Sequence, residues 1–246
     1  MPAIIETGHA KNVANFLDLI SFCIAYGATY NPSKTNIKIP ALQTLHTNAS
    51  NSMYEVLAKS TAFNNAVNER MLAFKTIKPL STRLLNAIQA TDASDEIIKD
   101  VKTINRKIQG KRAKEIQTPA IPADPNTPPQ KNISASQQSY DLLIQHFYTL
   151  IQILKTEPNY SPNEQELKIT TLQTYLAKLT NTNTAVINTY TDASNARISR
   201  NKILYLPSTG LYDITQDIKK YIQSIFGFNS PQYKQIRIIK FTKRKF

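Results

Sequence analysis

Two clusters of basic residues are the strongest chemical signal in the sequence. The stretches 101–114 and 234–245 contain no acidic residue. Lysine and arginine neutralise phosphate groups and release their counterions, so such clusters are typical of proteins that bind a polyanion. The first basic cluster consists of Lys102, Arg106, Lys107, Lys111, Arg112 and Lys114, and the second basic cluster consists of Lys234, Arg237, Lys240, Lys243, Arg244 and Lys245.

The remainder of the chain is almost neutral, although the net charge is +13. Apolar residues alternate with cations in the second basic cluster, where Tyr233 and Phe241 are suited to stacking on bases. Nucleic acid is therefore the leading partner. An anionic membrane surface or an acidic protein suits the same pattern, and a solvated tail that keeps the protein soluble is the simplest alternative.

The sequence predicts no catalytic residue, no metal site and no cofactor. His9, His46 and His146 do not occur at metal-ligand spacing. The five glycines form no phosphate-binding loop, and no small-molecule site is evident. Cys23, the only cysteine, lies in an apolar helical stretch and is predicted to pack in a core. We therefore expect a non-enzymatic protein.

A sequence repeat indicates how these residues are positioned. The segments YNPSKTNIKIPALQTL, from Tyr30, and YSPNEQELKITTLQTY, from Tyr160, agree at seven of sixteen positions. Arg70 and Arg200 also correspond in the two copies. An arginine at this position is suited to binding an anion or, equally, an acidic or asparagine side chain of the protein.

Apolar periodicity predicts helices around the repeated segment. We place helices at about 9–26 and 135–156, then a helix of about 35 residues in each copy. Pro79 and Pro207 are predicted to end the long helices, and helices at about 80–91 and 209–225 follow. Ser94 and Ser230 are expected to cap a final short helix in each copy.

Prolines mark the boundary between the two copies. Pro119, Pro122, Pro125 and Pro128 recur every three residues, which is the period of polyproline II. We predict three parts: a first helical bundle at 1–114, an extended linker at 115–133 and a second bundle at 134–246. A spacer is the leading role for the linker, and a proline-motif ligand is the alternative.

No secretory signal and no transmembrane segment are predicted, so a cytoplasmic location is expected. The stretches ETGHAKNVANF, ISFCIAYGATYNPSK, TINRKIQGKR and SPQYKQIRIIKFTK resemble an internally duplicated helical protein family of Bacteroidota without an established activity. The resemblance implies a bacterial, AT-rich source and supplies no function.

We therefore expect an all-α protein with two tandem bundles. Its predicted function is to bind or scaffold, with the basic ends of the two copies engaging a polyanion. One alternative is a structural protein that associates with itself through its long helices. Another is a membrane-acting, toxin-like helical protein, although such proteins carry a long apolar hairpin that this sequence lacks.

Overall fold

The computed structural model describes residues 7–111 and 138–243. Over these ranges the chain forms helices and no β-strand, which confirms the all-α prediction. The predicted linker at 115–133 lies outside the described residues. The α-helices of the described ranges are α1 (Thr7–Ala25), α2 (Ile39–Phe74), α3 (Ile77–Gln89), α4 (Asp95–Gln109), α5 (Tyr140–Thr156), α6 (Ile169–Tyr205), α7 (Leu211–Phe226) and α8 (Pro231–Arg237).

The repeated segment forms the same turn in both places. The buried hydroxyl of Tyr30 donates to the carbonyl of Ile37 over 2.7 Å, and that of Tyr160 donates to the carbonyl of Leu167 over 2.8 Å. Each accepting carbonyl ends a short 3-10 helix that directly precedes a long helix. The hydrogen bond therefore closes the turn from which α2 or α6 begins.

Two predicted helix boundaries are wrong. Pro79 does not end a helix but lies in the first turn of α3, where backbone N–H groups have no intrahelical partner and proline is tolerated. Helix α5 begins at Tyr140, later than the predicted start at 135, because Ser139 caps it by accepting from the backbone N–H of Leu142.

The two serines predicted to cap helices act as expected. The hydroxyls of Ser94 and Ser230 accept hydrogen bonds from the backbone N–H groups of Ile97 and Tyr233 and so cap α4 and α8. Gly227 ends α7 with a φ of 87°, a conformation that side-chain-bearing residues rarely adopt.

The chain divides into two compact units that do not follow the two sequence copies. Unit one consists of Met1–Asn64 and Asn188–Phe246, and unit two consists of Asn65–Ile187. Helix α2 begins in unit one and ends in unit two, whereas α6 begins in unit two and ends in unit one. The predicted bundles at 1–114 and 134–246 differ from this division because each long helix begins in one unit and ends in the other.

Unit one buries the beginning of the first half of the chain against the end of the second half. Its core includes Phe16 and Leu19 of α1 and Ile218 and Ile222 of α7, all with essentially no exposed surface. Cys23 belongs to this core, as predicted, and burial raises the pKa of its thiol to about 12.

Unit two has the reciprocal composition. Its core joins Phe147 and Leu150 of α5 to Leu84 of α3 and Val101 and Ile108 of α4. The apolar faces that the sequence pattern predicts are therefore buried in both units, each against helices of the other half of the chain.

The two tyrosine hydroxyls provide a test of the shared turn. We expect Tyr30→Phe and Tyr160→Phe each to lower the free energy of unfolding by about 1–2 kcal/mol, because each leaves a buried carbonyl without its donor. Urea unfolding measures the loss. The matched control is Tyr148→Phe, whose ring is 51% exposed and whose loss should stay within about 0.5 kcal/mol. Unfolding midpoints equal to the control would show that these hydrogen bonds do not stabilise the turn.

Candidate polyanion interface

The first basic cluster lies on the last two turns of α4 and just beyond it. Lys102 and Lys111 are exposed, and Arg106 and Lys107 are half-buried. None of these four cations forms an ion pair with a carboxylate of the described residues. Arg112 and Lys114 of the same cluster lie outside the described residues. Within the described residues, this end of α4 therefore presents cations that lie at ion-pair distance from no carboxylate.

A polar network fixes the end of α4 against the beginning of α3. The hydroxyl of Ser81, which is fully buried, donates to the side-chain carbonyl of Asn105 over 2.8 Å. The amide of Gln109 donates to the backbone carbonyl of Lys78, also over 2.8 Å. This contact places Lys78, whose side chain is exposed, beside the first basic cluster. Sequence proximity did not reveal Lys78, since it precedes Gln109 by 31 residues.

The charge order of α4 has a second physical consequence. Asp95 and Glu96 occupy its first turn, and Arg106 and Lys107 occupy its last. Acidic residues near the amino end and basic residues near the carboxyl end each stabilise a helix by about 0.3–1 kcal/mol through the helix dipole. Part of the first basic cluster therefore stabilises α4, whether or not a ligand binds.

The second basic cluster lies on α8 and on the segment that follows it, which packs on α1 and α7. Asn12, only 2% exposed, donates to the carbonyl of Thr242 and accepts from its backbone N–H, over 2.9 and 3.0 Å. The side chain of Asn15 donates to the carbonyl of Lys240, and that of Lys219 donates to the carbonyl of Ile239. Through residue 243, this cluster is anchored to unit one by its backbone.

The cations of the second cluster have varied surroundings. Lys243 lies 3.7 Å from a carboxylate oxygen of Asp213, and the guanidinium of Arg237 lies 5.7 Å from the ring centre of Phe228. Lys234 and Lys240 have exposed side chains. Arg244 and Lys245 lie outside the described residues. Lys243 of the second cluster is thus partly neutralised by its own unit, whereas the described cations of the first cluster form no such ion pair with a described carboxylate.

The aromatic residues predicted to stack on bases pack within unit one. Tyr233 and Phe241 both lie partly buried against its core. Phe241 also has the ammonium group of Lys219 at 5.4 Å from its ring centre, and burial lowers the pKa of Lys219. These rings hold the cluster in place instead of forming an open stacking platform.

The two corresponding arginines contact other side chains of the protein. Arg70 donates to the side-chain carbonyl of Asn183 over 3.0 Å, and its guanidinium lies 4.0 Å from the ring centre of Tyr140. Arg200 is 2% exposed and donates to the side chain of Asn201. Arg70 of α2 therefore contacts α5 and α6, whereas the hydrogen bonds that Arg200 donates to Asn201 lie within α6.

The histidines take structural positions. His9 is 4% exposed, and its Nδ1 lies 2.7 Å from the hydroxyl of Tyr205. His146 is also buried, and its Nε2 has no hydrogen-bond partner among the described residues. Burial, and secondly the charge of Lys107, lower the pKa of His146.

A cleft of about 440 Å³ in unit two lies beside the Tyr160 turn. Its polar side chains bond mainly to other groups of the protein: Arg83 pairs with Glu166, and Asn159 donates to the carbonyl of Asp92. Among the described residues, no group of three histidine, cysteine or acidic side chains is placed to hold a metal ion. No helix in the same ranges is long and apolar enough to span a bilayer.

Comparisons with protein-family models, curated proteins and solved structures give no match to this chain.

The two hydrogen bonds between the side chain of Asn12 and the backbone of Thr242 lead to a prediction about the second basic cluster. Replacing Asn12 by leucine removes two hydrogen bonds to Thr242, each contributing roughly 1 kcal/mol. We expect trypsin to cleave after Lys240 about tenfold faster, because the segment detaches more often. Mass spectrometry of the digest gives the rate. Asn68→Leu, at an exposed position of α2, is the control, and equal cleavage rates in the two variants would contradict the anchoring role.

His146 generates a pH prediction. Its pKa is lowered in the folded protein, whereas an unfolded histidine has a pKa of about 6.5. As the pH falls below about 6.5, the unfolded chain gains a proton that the folded chain resists, so stability decreases. We expect His146→Asn to lose less stability than the wild type between pH 7 and pH 5. His46→Asn is the control, and an unchanged pH dependence in His146→Asn would refute the assignment.

Proposed function

We propose that the protein binds a polyanion, with nucleic acid as the ligand class, through the end of α4. The basic surface that carries this proposal consists of Lys78, Lys102, Arg106, Lys107 and Lys111. The deciding observation concerns three cations of α4 and Lys111, which lies two residues beyond its end. None of these four cations lies at ion-pair distance from a carboxylate of the described residues. A folded surface with unpaired cations gains most when phosphates replace its counterions.

The geometry of α4 favours a linear polyanion. Lys102 and Arg106 are one helical turn apart, so they rise about 6 Å along the axis. The phosphates of one DNA strand recur about every 3.4 Å of helix axis, so a row of regularly spaced cations can meet a row of phosphates. The network around Ser81 and Gln109 fixes the backbone beneath these cations, which limits the conformational entropy lost on binding.

A salt titration tests this function. We expect a labelled 30-base-pair DNA or a labelled single-stranded RNA to bind at low salt, with the logarithm of affinity falling linearly with the logarithm of salt concentration. The triple variant Lys102→Gln, Arg106→Gln and Lys111→Gln should bind more weakly. It should reduce the slope by roughly two to three, because each phosphate contact contributes about 0.9. Fluorescence anisotropy measures both quantities.

The matched control removes the same number of charges elsewhere in unit two. Lys155, Lys168 and Lys178 are exposed, and their replacement by glutamine lowers the net charge equally. If the two triple variants show the same slope, general charge and not this surface determines binding. If the wild type does not bind at low salt, the proposed function is wrong.

The chain also has, in our proposal, the architecture of a duplication whose copies exchange their ends. The paired turns at Tyr30 and Tyr160 support it. Buried positions of α3 and α7 correspond as well, at a constant interval of 134 residues. The corresponding pairs are Ile77 and Leu211, Ser81 and Thr215, Leu84 and Ile218, and Ile88 and Ile222.

A further inference from the structure

One ion pair joins the repeated turn to a core helix in each unit. In unit one, the ammonium group of Lys34 lies 2.5 Å from a carboxylate oxygen of Asp217 on α7. In unit two, the guanidinium of Arg83 on α3 lies 2.5 Å from a carboxylate oxygen of Glu166. Both contacts join the repeated turn to the corresponding helix, with the signs of the charges reversed. The turn residues differ in position: Lys34 corresponds to Glu164, and Glu166 lies two residues further along the turn.

The correspondence of the two helix positions follows from the buried residues around them. Arg83 and Asp217 are separated by the same 134 residues as the buried pairs Leu84 and Ile218. The same exposed helix position therefore carries a cation in α3 and an anion in α7. Their turn partners, Lys34 and Glu166, differ in the opposite sense, and Glu164, which corresponds to Lys34, is acidic as well.

The sign of the charge at these contacts therefore differs between the two copies. Both participants from the first copy, Lys34 and Arg83, are cations, and both from the second copy, Glu166 and Asp217, are anions. Pairing between unlike copies brings opposite charges together twice. Pairing between like copies would place Arg83 beside the turn that carries Lys34, and Asp217 beside the turn that carries Glu164 and Glu166, so like charges would meet in both cases.

Pairing between like copies requires two chains. Helix α2 is continuous over 36 residues, so its first turn cannot contact its own last turn. The turn at Tyr30 therefore cannot pack on α3 of the same copy while α2 is intact. It can pack on α7 of the same chain, as observed, or on the equivalent helix of a second molecule.

We propose that these four charges act as a recognition code, which makes the two copies of one chain pair with each other and disfavours assembly of like copies from different chains. This role is independent of polyanion binding, since none of the four residues belongs to the basic surface. Each exposed ion pair alone contributes little to the free energy of pairing. Pairing of like copies, however, removes two attractions and adds two repulsions, so four electrostatic contributions change together.

A buried polar contact favours the same pairing. His9 and Asn12 of the first copy both contact the hydroxyl of Tyr205 from the second copy. The residue of the first copy that corresponds to Tyr205 is Lys75, 130 positions earlier and just beyond α2. Like pairing of first copies would bring that lysine toward His9 and Asn12 and would replace the tyrosine hydroxyl that they contact.

Two charge-exchange variants of the full chain test the code without altering composition or net charge. The exchange variant carries Arg83→Asp and Asp217→Arg, so unlike copies repel at both contacts and like copies attract. The fourfold variant adds Lys34→Glu and Glu166→Lys, which restores attraction between unlike copies. Each protein is prepared with two different affinity tags, and the two tagged forms are unfolded together in urea and refolded by dilution at low salt.

The measured quantity is the fraction of soluble protein that carries both tags after capture on the first tag and size-exclusion chromatography. We expect this fraction to rise on the order of tenfold in the exchange variant and to return to the wild-type value in the fourfold variant. In 1 M salt, where the screening length is about 3 Å, the exchange variant and the wild type should give the same fraction.

Two results would overturn the proposal. One is an exchange variant with no more mixed-tag protein than the wild type, and the other is a fourfold variant with as much as the exchange variant. If the exchange variant yields no soluble protein, refolding yield becomes the readout: recovery in the fourfold variant supports the code, and failure of both variants refutes it.

Discussion

The continuity of the two long helices determines how the rest of the protein is assembled. Helices α2 and α6 contain 36 and 37 residues and many threonines and asparagines, which favour helices only weakly. Several threonine hydroxyls donate to the carbonyl four residues earlier, as Thr47 does to Gln43, so they remain satisfied inside the helix. Because an intact helix separates its own ends, each compact unit must combine segments from both halves of the chain.

The apolar core does not by itself distinguish one pairing of halves from another. Phe16 and Phe147 occupy equivalent positions in α1 and α5 and are both fully buried, so either helix offers a similar surface. Discrimination comes from polar residues at the margins of the cores, where an unsatisfied group or an opposed charge is costly. The ion pairs at Asp217 and Glu166 and the contacts of Tyr205 are of this kind.

The sequence was sufficient to predict elements but not their partners. Periodicity, Ser94 and Ser230 located helices because capping and amphipathicity are local properties. The exchange of halves was not predictable from these patterns, since contacts between residues such as Asn12 and Thr242 span most of the chain. Lys78 joined the basic surface, and His9 became buried, for the same reason: a side chain's surroundings depend on which distant helix packs beside it.

The discontinuity of unit one affects the order in which the protein forms during synthesis. Unit two is contiguous in sequence, from Asn65 to Ile187, so its residues are all present before the later part of unit one is made. The apolar face of α1, with Phe16 and Leu19, is synthesised first but finds Ile218 and Ile222 only near the end. Nascent chains thus carry an uncovered hydrophobic helix for most of their translation, and that interval is when the chain is most exposed to aggregation or to chaperones.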